Sequence, residues 1–164
     1  MIKNFFKNHL LTLIIVFLIF FIDRASKFYV LRLAEQSHEL NIYLTTYLNI
    51  YLIWNKGIAF GLMSFNSNII YNFITLLIIA ICITVLIMVI RSEGFKKYSL
   101  VAVLGGALGN LFDRIYYGAV PDFIDLHFKS FHWFIFNIAD IFITIGVFCL
   151  IYAELFVQNR DNEK

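Results

Sequence analysis

Two carboxylates stand where acids are expensive: Asp122, just after an apolar segment of helix length, and Asp140, at the start of the next one. Ionisable groups placed near membrane depth are costly and usually mark a site. The chain must reverse direction between them, so the two side chains can face one another. Two carboxylates sharing a low-dielectric site cannot both ionise cheaply, and such a pair holds one proton near neutral pH. The charged member can then take a proton from water while the protonated member polarises a scissile carbonyl, which is aspartic-protease chemistry. That chemistry needs no metal, no cofactor and no nucleophilic serine.

Other polar residues gather nearby in the sequence. Asn110, Asp113 and Arg114 are spaced i, i+3 and i+4, so they share one face of a helix. Gly105 and Gly109 form a small-xxx-small pair that lets a second helix approach closely. On these residues alone, a tightly packed helix pair closed by a structural Asp113–Arg114 contact is as good a reading as a site. Asn137, Asp140 and Thr144 form a second polar stripe at helical spacing. Asp140 could instead cap a helix N-terminus; Ile138 and Ala139, which precede it within the apolar run, argue against that. Asp122, Asp125, His127 and His132 match no familiar ligand spacing, so no metal is expected. Ser64, Ser67 and Ser130 lack a nucleophile context.

The elements that must position these groups follow from composition. With 61% hydrophobic and 15% charged residues and a mean hydropathy of +0.81, the chain reads as an integral membrane protein of one domain, residues 1–164. A formal charge of +2, with scattered basic residues, gives no footing for nucleic acid. Four transmembrane helices are expected, over about 10–31, 68–90, 98–116 and 135–157. The fold class is therefore all-α, with one small extracytoplasmic β-sheet. That sheet is expected in the loop 32–67, where 40–44 and 47–54 are rich in β-branched and aromatic residues and Asn55-Lys56-Gly57 closes a turn. Residues 117–134 read as a loop, with Pro121 stiffening the backbone beside Asp122. Gly94 suits the short connection at 91–97, and 158–164 form a polar tail. The first apolar run has no small-x-small cleavage site after it and reads as a retained anchor. Cys82 and Cys149 lie inside apolar runs and read as buried thiols.

An even number of spans puts both termini on one side. Lys3, Lys7, Arg91, Lys96, Lys97, Arg160 and Lys164 lie there, against Arg24, Lys27, Arg32, Lys56, Arg114 and Lys129 opposite, which favours cytoplasmic termini. Counting from these flanks, Lys7 to Asp23 and Lys97 to Asp113 are each sixteen residues, or roughly 24 Å of helix. Arg160 to Asp140 is twenty, or roughly 30 Å. The hydrocarbon core is about 30 Å thick, so polar clusters on three helices converge on the outer leaflet.

Five blocks then carry a resemblance: Asp23-Arg24-Ala25-Ser26-Lys27, Asn55-Lys56-Gly57-Ile58-Ala59-Phe60-Gly61, Gly106-Ala107-Leu108-Gly109-Asn110-Leu111-Phe112-Asp113-Arg114, Asp122-Phe123 and Phe136-Asn137-Ile138-Ala139-Asp140. In order and separation they resemble the motifs of bacterial lipoprotein signal peptidases, the type II signal peptidases. The resemblance implies a monomeric aspartic endopeptidase of the bacterial inner membrane, with its active site toward the outer leaflet. Its partners would be membrane lipids and prolipoproteins, whose lipobox signal peptide is cut just before a diacylglyceryl cysteine. It assigns catalysis to Asp122 and Asp140 and supporting roles to Asp23, Lys27, Asn55, Gly57, Asn110, Arg114 and Asn137. Asp113 joins the supporting network or pairs structurally with Arg114. Pro121, Ile135 and Ile58 depart from the family's usual valine, proline and small residue, and none of them removes a polar group. A proton-coupled transporter is the alternative, and it would spread ionisable groups along the membrane normal. A non-catalytic helix-packing subunit would use the acids structurally.

Overall fold

Helix α3 (Gly94–Tyr117) is the element around which the others assemble, because its small residues let three helices touch it. A Cβ on Gly105 would lie 2.8 Å from Ile19, one on Gly109 2.6 Å from Asp23 Oδ2, and one on Gly106 would collide with the carbonyl oxygen of Ala139. The small-residue stripe thus faces α1 (Ile2–Gln36) through Gly105 and Gly109, and α4 (Ile138–Tyr152) through Gly106. The third neighbour, α2 (Asn68–Arg91), closes an apolar cluster of Cys82, Val89, Leu100, Val101 and Leu104. Only Ser92 and Glu93 separate α2 from α3, and Gly94 takes φ +57°, a left-handed conformation that favours glycine. The computed structural model describes residues 2–36, 40–57, 68–129 and 131–157. The expectations for Ile58, Ser64, Ser67, Ser130 and the tail 158–164 lie outside these residues.

Among the described residues, three helices, over His9–Gln36, Ile69–Arg91 and Ile138–Phe156, are long and apolar enough to cross a membrane. Helix α3, which carries glycines, Asn110, Asp113 and Arg114, is not among them. Large apolar side chains point outward along the helices, including Phe17, Phe21, Phe73, Leu76 and Phe148, each more than 60% exposed. That surface suits lipid and is prohibitively apolar for water.

The fold is mostly helical with one small sheet, and that sheet is larger than expected. A four-stranded antiparallel sheet runs in the order β1 (Asn41–Thr45), β2 (Leu48–Asn55), β3 (Val120–Phe128), β4 (Phe131–Phe136). The sheet expected between the first two helices is present as β1 and β2, and half of the final sheet comes from elsewhere. Residues 117–134, read as a loop, instead form most of a hairpin over 120–136. The reason is that a two-stranded hairpin is marginal alone, so the free edge of β2 recruits β3, with Asn49 opposite Asp125 and Asn55 opposite Val120. The same hairpin absorbs Ile135 and Phe136, so α4 starts at Ile138, three residues later than the apolar pattern indicates. Helix α1 runs past its apolar segment to Gln36, and Val30 packs there with Leu40 and Phe123, fixing the sheet against the helix end.

Candidate active site

Asp122 sits on β3 and Asp140 in the first turn of α4, and both line one cavity of about 300 Å³. Asn55, Asn110, Arg114, Asn137 and Thr144 supply the rest of its polar wall, while Ile78, Val103 and Ile143 are among its apolar residues. Asp122 is 1% exposed. Asn55 Nδ2 donates to its Oδ2 at 2.9 Å and Asn137 Nδ2 to its Oδ1 at 2.6 Å. Burial pushes the Asp122 carboxyl up and the nearby Asp140 charge pushes it further, to about 6; the two amide hydrogen bonds and Lys27 oppose the rise.

Asp140 is held by a different set. Its Oδ1 accepts from Asn110 Nδ2 at 2.8 Å, and its Oδ2 accepts from the backbone N–H of Asn137 at 3.2 Å. Asn137 Oδ1 in turn accepts from the Asp140 backbone N–H at 3.1 Å. This is a reciprocal capping box, with Asn137 as the N-cap of α4. The argument against a capping role for Asp140 is therefore corrected. Because β4 ends at Phe136, the helix begins at Ile138 and places Asp140 at its third position. Capping and lining the cavity coexist, since each uses one carboxylate oxygen.

Beneath this cavity lies a buried ion cluster. Asp23, Asp113 and Lys27 are each at most 1% exposed. Lys27 Nζ donates to Asp23 Oδ2 at 2.9 Å, to Asp113 Oδ2 at 2.7 Å and to Asn110 Oδ1 at 2.9 Å. Arg24 bridges the same two acids, at 3.0 and 2.7 Å. Two acids and two bases balance, as buried charges require. Asp23 Oδ1 also accepts the backbone N–H of Ala139 at 3.0 Å, satisfying a donor that the first turn of α4 leaves open. Asp113 therefore joins the supporting network through Arg24 and Lys27, and of the two readings the sequence left open the pair with Arg114 is not seen among the described residues. Arg24 is the residue missed in the sequence. Its signal was the equal helix count from Lys7 to Asp23 and from Lys97 to Asp113, which puts two acids at one level and calls for more than one cation.

Arg114 turns toward the cavity instead. It donates through Nη2 to the carbonyl oxygen of Gly57, and its guanidinium lies 5.9 Å from the Tyr71 ring centroid. Its Nε and Nη1 are buried with no hydrogen-bond partner among the described residues. The Gly57 N–H donates to Asn55 Oδ1 at 2.8 Å, an Asx turn that orients the amide toward Asp122. All ten residues singled out in the sequence thus fall in two adjoining networks, and Lys27 and Asn110 join them.

The chain has similar proteins among known sequences and structures. A family model described as signal peptidase (SPase) II matches residues 15–156. The chain is 55% identical to a lipoprotein signal peptidase of Pelagibacter ubique over 159 residues, 96% of each protein. It is 36% identical to one from Anaplasma phagocytophilum, over 95% of this chain and 99% of that one. A solved bacterial membrane enzyme at 2.3 Å resolution superposes with a TM-score of 0.75 at 28% identity, covering 93% of this chain and 91% of that one. A second, at 1.9 Å, gives 0.71 at 29% identity, covering 89% and 93%. Matched over nearly its whole length in sequence and in fold, the chain belongs to the signal peptidase II family.

Proposed function

We propose that this chain is an aspartic endopeptidase that removes the signal peptide of diacylglyceryl-modified prolipoproteins just before the lipidated cysteine, with Asp122 and Asp140 as its catalytic pair. The relatives support the prolipoprotein substrate. The observation that carries the chemistry is that these two carboxylates, from a strand and a helix, line one largely apolar cavity. Water between them loses a proton to the ionised carboxylate as its oxygen attacks the scissile carbonyl carbon, while the protonated carboxyl donates to the carbonyl oxygen. When the tetrahedral intermediate collapses, the C–N bond breaks and the captured proton passes to the leaving amine of the cysteine. The pair titrates as one unit, so the two roles belong to the dyad. Asn55 and Asn137 hold Asp122, Asn110 holds Asp140, and the unpartnered Arg114 N–H groups are placed to receive a substrate carbonyl.

In this reading the protein is a monomeric single domain that crosses the bacterial inner membrane four times, with α3 as a span despite its polar end. Both termini are cytoplasmic, and the sheet lies on the outer side. The diacylglyceryl chains hold the substrate cysteine in the outer leaflet, the level that helix counting gives for the polar clusters. A transporter has no support from the family, and the acids are gathered in one place instead of spread along the membrane normal.

The test is cleavage of a diacylated prolipoprotein by purified protein in detergent. Asp122→Asn and Asp140→Asn should each lose roughly 10²–10⁴-fold or more in rate while remaining folded. Undiminished cleavage by either folded variant would sink the dyad assignment.

A further inference from the structure

A second cluster of ligating side chains lies on the sheet, away from the catalytic cavity. Strand alternation puts Asp125 and His127 on one face of β3 and Asp122 on the other. His132 on β4 pairs directly across from His127, and the register shift between these strands brings it onto Asp125. His132 Nδ1 lies 2.9 Å from Asp125 Oδ2, His127 Nδ1 lies 3.8 Å from the same oxygen, and one ligand atom from each of the three residues falls within 4.8 Å of the others.

An imidazole–carboxylate pair would account for His132 and Asp125, but it leaves two groups over. The His127 side chain is 8% exposed, and its Nδ1 is buried without a hydrogen-bond partner among the described residues. Asn49, opposite Asp125 on β2, has a buried Oδ1 that is also unpartnered among the described residues. Either tautomer of His127 leaves Nδ1 unsatisfied, and such groups are rare in folded proteins. Asn49, Asp125 and His132 share the wall of a cavity of about 310 Å³ with Asn41, Tyr51 and Ile135.

We propose that Asp125, His127 and His132 bind a zinc ion, with Asn49 Oδ1 or water at the fourth position. Two imidazoles and one carboxylate are a zinc donor set, whereas calcium and magnesium prefer all-oxygen shells. Zinc–nitrogen bonds of about 2.0–2.1 Å require tetrahedral ligand atoms roughly 3.3 Å apart, so small side-chain rotations close the site. The ion ties β4 to β3 and stiffens the strand that leads to Asn137. It takes no part in peptide cleavage.

The experiment uses the full chain in detergent, tag-free and stripped of metal, titrated with zinc against a fluorescent chelator. One saturable zinc per chain is expected, with a rise in melting temperature. His127→Ala and Asp125→Asn should each weaken binding at least about tenfold. Cleavage that continues in these variants would show that they are folded. Cobalt added to the unmutated protein provides a check that needs no variant, because a four-coordinate ion gives intense visible bands and a hydrated six-coordinate ion only weak ones. No saturable zinc, unchanged affinity in folded variants, or the weak hydrated cobalt spectrum would overturn the proposal.

Discussion

Asn110 shows how one amide joins two networks. Its oxygen accepts from Lys27 at 2.9 Å, which leaves its NH₂ directed at Asp140 at 2.8 Å. The buried ions thereby fix the orientation of a side chain that touches the proposed dyad. A hydrogen bond to a charged group is worth about 1.5–3 kcal/mol, so Asn110→Leu should lower the cleavage rate by roughly ten- to a hundredfold without unfolding the protein; an unaltered rate would remove Asn110 from the site. A second prediction concerns protons. Asp122 is raised to about 6 by burial and by the charge of Asp140. Asp140→Asn removes the second cause and leaves the first, so the Asp122 carboxyl should titrate below about 6 in that variant. Infrared titration of the carboxyl band would read this, and an equal or higher value would mean that the two acids do not interact. The polar residues of this site were legible in the sequence because each interrupts an apolar run. Their partners were not: adjacency in the chain left Asp113 open to pairing with Arg114, while the fold gave Asp113 to Arg24 and Lys27.

Helix α3 determines how closely the elements approach. Gly106 faces the backbone of Ala139, one residue before Asp140, so the α3–α4 spacing there is set by the absence of a Cβ. Gly106→Ala must push the helices apart at the level of the dyad. Overpacking of this kind costs about 1–3 kcal/mol, and the unfolding midpoint in detergent should fall accordingly. An unchanged midpoint together with full cleavage would mean that the contact yields easily. The role of this stripe could be read from its spacing, because small residues four apart must share a face. The β3–β4 hairpin could not be read so directly. In sequence its aromatic and β-branched residues read as a loop because Gly118, Pro121 and scattered charges interrupt them, and its stability depends on the edge of β2, some seventy residues earlier in the chain.

At the scale of the whole molecule, one face of the sheet serves Asp122 while the other carries Asp125 and the two histidines, and the helices carry an apolar coat. If both termini are cytoplasmic, the exposed Lys129 at the β3–β4 turn lies outside the cell and the exposed Glu93 at the α2–α3 connection lies within. In intact cells whose outer membrane is permeabilised, Lys129→Cys should react with a membrane-impermeant maleimide and Glu93→Cys should not; the opposite pattern would invert the topology. The sequence by itself determined the membrane class, the apolar helices, the five motif blocks and the acids on which the proposed chemistry rests. Each of these is a local property: apolar length, helical spacing, or a costly residue in an apolar run. Only the tertiary structure decided that Asp140 both caps α4 and lines the cavity, that Arg24 balances the buried acids, and that two histidines and an aspartate meet on the sheet. Those outcomes depend on strand register and helix contact between residues far apart in the chain, and such pairings are settled by packing.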